Sequence, residues 1–162
     1  MKKHIPNLIT LGNLLCGTIA VIAAVNSDYV TAAIFVALGI FLDFFDGFFA
    51  RILKVSGELG KQLDSLADMV TSGVVPGIVV YNLLQENSLN LLEKASTTLK
   101  LASFNTGYLP YFGLILTLAA CYRLAKFNID TRQSDSFIGM PTPAMSLFVL
   151  TLPLIPMYSD NQ

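Results

Sequence analysis

Four aspartates fall in two pairs, Asp43 with Asp46 and Asp64 with Asp68, inside sequence that is otherwise strongly apolar. An ionisable group within a bilayer-spanning segment costs about 2.5 kcal/mol or more, so such groups persist when paired, metal-bound or facing water. Spacings of three and four residues place each pair on one helix face. Between the pairs, Gly57 and Gly60 let the chain turn and bring a second helix back antiparallel to the first. Four carboxylates then converge near one end of a helical hairpin. Alone they would repel one another, whereas oxygen-only donors of this kind suit a hard divalent cation, Mg²⁺, Mn²⁺ or Ca²⁺. Asp43, Asp46, Asp64 and Asp68 are therefore the candidate metal ligands.

The neighbouring small residues add a second component. Gly47 and Ala50 lie on or beside the Asp46 face and leave room for a bulky anion, and Arg51 offers a planar fork suited to phosphate oxygens. A carboxylate-held metal beside an arginine is equipment for phosphoryl transfer. Two other readings compete with it. One is a polar loop whose aspartates sit in headgroup water, which gives no reason for this spacing beside Gly, Ala and Arg. The other is a cation transporter with a carboxylate-lined path.

The order Asp-x2-Asp-Gly-x2-Ala-Arg-x8-Gly-x3-Asp-x3-Asp, filled here by Asp43, Asp46, Gly47, Ala50, Arg51, Gly60, Asp64 and Asp68, resembles the full signature of the CDP-alcohol phosphatidyltransferases. The likeness implies metal binding by the first three aspartates. For Asp68 it implies metal binding, activation of the attacking hydroxyl, or both, with Arg51 beside it as a catalytic residue. It also implies that Gly47, Ala50, Arg51 and Gly60 admit the CDP part of a lipid donor.

The chain that holds these groups has 162 residues, 54% of them hydrophobic and 13% charged, with a mean hydropathy of +0.63. That is too apolar for an ordinary soluble domain. With about 20 apolar residues needed per span, five candidates emerge, at about Ile5–Val25, Tyr29–Ile52, Leu63–Leu84, Leu109–Phe127 and Pro143–Met157. The expected fold is all-α, a polytopic membrane helical bundle forming one domain over residues 1–162. The resemblance implies a core of six membrane helices and a homodimer, so a chain with five spans is expected to be C-terminally shortened or to hide a short helix. Net charge of −1 and the lack of a long basic run argue against a nucleic-acid partner. A single histidine, His4, excludes a His-rich transition-metal site. Cys16 and Cys121 fall in apolar spans and read as packed thiols.

Lys2 and Lys3 precede an apolar run, but Pro6, Asn7 and Asn13 interrupt it, which favours a retained first span over a signal peptide. Pro6-Asn7-x-x-Thr10 is similar to the opening of many family members, where it lies close to the nucleotide, so Asn7 and Thr10 are candidate contacts to CDP. Tyr29 reads as an interfacial anchor, and Pro76 as a kink in the third span. The stretch from Gln85 to Tyr108 fits either an interfacial segment or an extramembrane loop. Basic residues cluster at one set of ends (Lys2, Lys3; Arg51, Lys54, Lys61; Arg123, Lys126, Arg132), so the N-terminus and the acidic motif are expected to face the cytoplasm.

The run Cys121-Tyr-Arg123-Leu-Ala-Lys126-Phe-Asn128, followed by Phe137-Ile-Gly139-Met-Pro141-Thr-Pro143-Ala144, resembles the phosphatidylserine synthase branch of that family. Lys126 stands where a second arginine is more usual, keeping the charge and losing bidentate geometry. The likeness implies transfer of a phosphatidyl group from CDP-diacylglycerol to L-serine with release of CMP. Arg123 and Lys126 then become candidates for holding the serine carboxylate or a lipid phosphate, although they serve equally as positive-inside anchors. Gly139, Pro141 and Pro143 read as a rigid turn. The same chemistry with glycerol phosphate or inositol as acceptor, or with an archaeal-type ether lipid donor, would use the same acidic residues.

Overall fold

In the computed structural model, residues 5–53, 55, 57–98, 106–129 and 141–155 are described, with the side chains of 88–98 and 106–107 left aside. Lys2, Lys3, His4, Lys54, Arg132 and Gly139 lie outside the described residues. Helices α1 (Ile5–Val25) and α2 (Tyr29–Leu53) form the first hairpin. Its turn is closed by Ser27, whose φ of 59° puts it in the left-handed region, and by Asp28, whose Oδ1 accepts the N–H of Thr31 at 3.1 Å. That contact satisfies one orphan donor at the start of α2, and hydrogen bonds from Thr31 hold the Asp28 carboxyl below the usual range.

The next helix is nearly continuous. It comprises α3 (Glu58–Asp68), a wide π-helical turn over Met69–Val74, and α4 (Val75–Thr98). At the end of the wide turn the N–H of Val75 reaches back to the carbonyl of Val70. The irregularity expected at Pro76 thus appears just upstream of it. A proline supplies no N–H, and its ring crowds the carbonyl four residues back, which is that of Ser72, inside the widened segment. The stretch beginning at Gln85 is no separate loop, because α4 runs on to Thr98. A 3₁₀ segment (Thr106–Leu114) leads into α5 (Ile115–Ile129), and α6 (Thr142–Thr151) follows Pro141. Among the described residues every element is helical.

Four helical stretches are long and apolar enough to cross a membrane, Ile5–Val25, Tyr29–Leu53, Glu58–Asn87 and Tyr108–Ile129, and Thr142–Thr151 is a shorter apolar helix. This agrees with a polytopic helical membrane protein and with the five expected segments. Large side chains such as Leu8, Ile34, Phe44, Leu66 and Leu118 are exposed on the outside, as suits surfaces solvated by lipid. The core is built from small residues, with Ala20, Ala24, Ala32 and Val36 of the first hairpin meeting Val75, Val79, Val149 and Leu150. Small side chains let helix backbones approach in the absence of a hydrophobic driving force between them. At Gly113 the approach is extreme, since an added Cβ would stand 2.6 Å from the backbone nitrogen of Tyr81.

Polar groups inside this bundle are matched in pairs. Asn82 donates to the carbonyl of Ala24 at 2.8 Å, and Thr117 donates to that of Gly73, in the π-helical turn, at 3.0 Å. Two sequence expectations change. Tyr29 is buried, with its hydroxyl on Glu86 at 3.2 Å, and is no interfacial anchor. Of the two free cysteines Cys16 is buried as expected, whereas Cys121 is exposed.

Candidate active site

The second half of α2 and the length of α3 carry the two pairs of the acidic motif. Carboxylate oxygens of Asp43, Asp46 and Asp64 lie within 4.8 Å of one another. Asp46 is buried and accepts the hydroxyl of Thr10. Thr10 thus shares its one hydroxyl proton between Asp46 and the Pro6 carbonyl, at 3.1 Å, while lying on the wall of the first cavity. Asp43 Oδ1 is buried with no hydrogen-bond partner. An orphaned carboxylate oxygen beside two further carboxylates is the donor set of a hard divalent cation, and the three residues fit one. Asp68 lies outside this group of three. Its Oδ1 faces Asn13 Nδ2 at 3.5 Å.

Two cavities meet at the cluster. The first, about 350 Å³, is lined by Asn7, Thr10, Asp46, Gly47, Ala50, Arg51, Gly60 and Asp64, among others. Every residue that the sequence assigns to the CDP part of a donor lies on its wall. A Cβ at Gly47 would meet nothing within 4 Å and so would project into open space, and one at Gly60 would stand 3.3 Å from Asn7 Oδ1. The two glycines keep this cavity wide and let α1 close over it.

The second cavity, about 270 Å³, is bounded by Asp43, Lys61, Asp64, Ser65, Asp68, Arg123, Phe127, Asn128 and the Pro141–Pro143 turn. Arg123 reaches across it to donate to Thr142 Oγ1 at 3.1 Å. Lys126 is exposed and lines neither cavity, so the structure separates the two basic residues that the sequence grouped. Lys61 borders both cavities and donates to the backbone carbonyl of Asn128 at 2.8 Å, while Asn128 donates to Ser65 at 2.7 Å. This clasp ties α3 to the end of α5. The sequence offered Lys61 only as one of the basic residues at the span ends, and Ser65 and Thr142 only as unassigned positions within motifs.

A profile of the CDP-alcohol phosphatidyltransferases matches residues 3–159. The chain belongs to the CDP-alcohol phosphatidyltransferase family. Among curated members of this family it is 35% identical over 154 residues to the CDP-diacylglycerol–serine O-phosphatidyltransferase of Bacillus subtilis, covering 93% of this chain and 75% of that one. It is 32% identical over 159 residues to the protein of the same name from Helicobacter pylori, covering 93% of this chain and 57% of that one. An archaetidylserine synthase of Methanothermobacter thermautotrophicus is 25% identical over 160 residues, covering 96% of this chain and 60% of its own length. No solved structure gives a significant match. Asp64 and Lys61 stand on the wall of both cavities.

Proposed function

We propose that this chain, as one transmembrane domain, transfers a phosphatidyl group from CDP-diacylglycerol to L-serine and releases CMP. The observation that carries the reading is the shared acidic wall. The cavity on one side presents the small residues and Arg51 of the signature, and the cavity on the other presents Arg123 and Lys61. Serine needs both charges, a cation for its carboxylate and an anionic surface for its ammonium, and the second cavity offers both. All three relatives named above carry serine or a seryl product in their names. The archaeal one differs in the lipid, which this reading leaves to the chain-binding surface.

In this reading Asp43, Asp46 and Asp64 hold a divalent ion, Mg²⁺ or Mn²⁺, which when bound neutralises charge on the pyrophosphate and the leaving CMP. Arg51 takes a phosphate oxygen of the donor in its fork. Asn7, Gly47, Ala50 and Gly60 receive the nucleotide part. The serine hydroxyl oxygen bonds to the phosphorus that carries diacylglycerol, and the bond from that phosphorus to the oxygen of CMP breaks. Asp68, on the acceptor side, takes the hydroxyl proton. The basic residues around the cluster put this end of the bundle at the cytoplasmic face, where serine and CMP are soluble, and two copies are expected to pair in the membrane.

The test is CMP release by the purified protein in detergent with CDP-diacylglycerol and Mn²⁺ or Mg²⁺, given serine, glycerol phosphate or inositol separately. Release that depends on serine and metal supports the reading, and release with another acceptor alone moves the acceptor assignment. Metal flux into liposomes without any CMP release would favour a transporter. Arg123→Gln is expected to raise the KM for serine about tenfold or more, the loss of a charge-assisted hydrogen bond, with little change in the KM for CDP-diacylglycerol. Lys126→Gln is expected to change neither. An unaltered serine KM in Arg123→Gln would remove Arg123 from the acceptor site.

A further inference from the structure

Asn13 is fully buried in α1, a polar amide between the buried Thr10 and the Cys16, Gly17 and alanines that follow, and its two polar atoms make different contacts. Thr71 Oγ1, in the π-helical turn, donates to Asn13 Oδ1 at 2.9 Å, and Asn13 Nδ2 faces Asp68 Oδ1 at 3.5 Å. Thr71 is buried as completely as Asn13, while Asp68, at the other end of these contacts, is half-buried on the wall of the second cavity.

With Asp68 ionised, as a proton acceptor must be, the amide has one chemically consistent orientation. Turned over, it would set its carbonyl oxygen against a carboxylate oxygen, two acceptors with no proton between them. The Thr71 hydroxyl, by donating to Oδ1, commits the nitrogen to Asp68. Two glycines make room for this. A Cβ at Gly39 would fall 2.8 Å from Asn13 Oδ1 and 2.9 Å from Thr71 Cγ2, and one at Gly17 would overlap Thr71 Oγ1. Helices α1 and α2 thus carry glycine where the pair is enclosed. The π-helical turn begins directly after Asp68 and contains Thr71, so the widened turn sets the placement of the hydroxyl relative to the carboxylate.

We infer that Asn13, locked by Thr71, is a positioning pair for Asp68, engaging Oδ1 so that Oδ2 is the oxygen presented to the acceptor hydroxyl. The inference rests on Asp68 being the proton acceptor of the proposed reaction, and it adds how that carboxylate is aimed. Neither Asn13 nor Thr71 lines either cavity, so the pair acts through Asp68 and touches no substrate.

The experiment compares Asn13→Leu, Thr71→Val, Thr71→Ser and Asp68→Asn as full-length proteins in detergent, by serine-dependent CMP release and by EPR titration with Mn²⁺ alone. Thr71→Val is the decisive variant, because it keeps the shape of the side chain even if Asn13→Leu does not fold. It is expected to lower kcat about tenfold, the size of effect typical of a lost orienting hydrogen bond. Both KM values and the Mn²⁺ affinity should stay as in the wild type, and Thr71→Ser, which keeps the hydroxyl, should restore kcat. Wild-type kcat in Thr71→Val alongside an inactive Asp68→Asn would overturn the inference and leave the reaction intact. So would equal damage from Ser and Val at this position, or loss of Mn²⁺ binding in Thr71→Val. Turnover retained in Asp68→Asn would overturn both the assignment of Asp68 and the inference built on it.

Discussion

Asp68→Asn is expected to lower serine-dependent CMP release by about 10²–10⁴-fold, the range for a positioned general base, while Mn²⁺ still binds. The expectation comes from the separation of the four aspartates. Asp43, Asp46 and Asp64 form one group of close carboxylate oxygens. Asp68 stands beside them on the wall of the second cavity, with one oxygen turned to Asn13. Asparagine keeps the size and one acceptor oxygen of the side chain, so packing against α1 survives and only the proton-accepting capacity is removed. A single-turnover measurement of CMP release, with Mn²⁺ occupancy followed by EPR on the same sample, separates the steps. If Asp68→Asn instead released no CMP because Mn²⁺ no longer bound, Asp68 would join the metal ligands, the second role that the family likeness allows.

The acidic motif was legible in the sequence because helix periodicity alone fixes which carboxylates share a face, and two glycines mark where the chain must turn. The positions of the spans were legible from apolar length, although the third helix starts earlier and runs further than its apolar stretch. Contacts between helices were not, because no local pattern pairs Asn13 with Thr71, or Thr10 with Asp46. These partners are 58 and 36 residues apart and meet only when the bundle is assembled. Thr10 lines the first cavity, and its contact with Asp46, on another helix, is one that no spacing in the sequence announces. Arg123 and Lys126, three residues apart, share a helix side in projection. In the folded bundle only Arg123, which reaches Thr142, lines the second cavity, and Lys126 is exposed. The continuation of α4 beyond Gln85 was hidden by an irregular mixture of leucines and polar residues, which a helix tolerates once its preceding turns are packed.

Metal removal and Asp43→Asn are expected to act with opposite sign on stability and the same sign on activity. In the wild type, chelation should abolish turnover, because it strips the charge that the pyrophosphate needs and leaves three carboxylates within 4.8 Å of one another. Re-adding Mn²⁺ or Mg²⁺ at about 100 times its Kd should restore turnover and stabilise the fold by about 2.7 kcal/mol, as a ligand that binds only the folded state must. In Asp43→Asn one charge is gone and an amide can donate where Oδ1 now has no partner. The metal-free variant should therefore melt above the metal-free wild type, yet gain little from added metal and turn over at no more than about a hundredth of the wild-type rate. The pair of measurements is thermal unfolding in detergent and CMP release, each with and without Mn²⁺. A merely structural aspartate predicts that Asp43→Asn melts lower in both conditions; a solvated one predicts no change in either. Only a carboxylate kept in place for a cation makes the protein more stable when it is removed and inactive for the same reason.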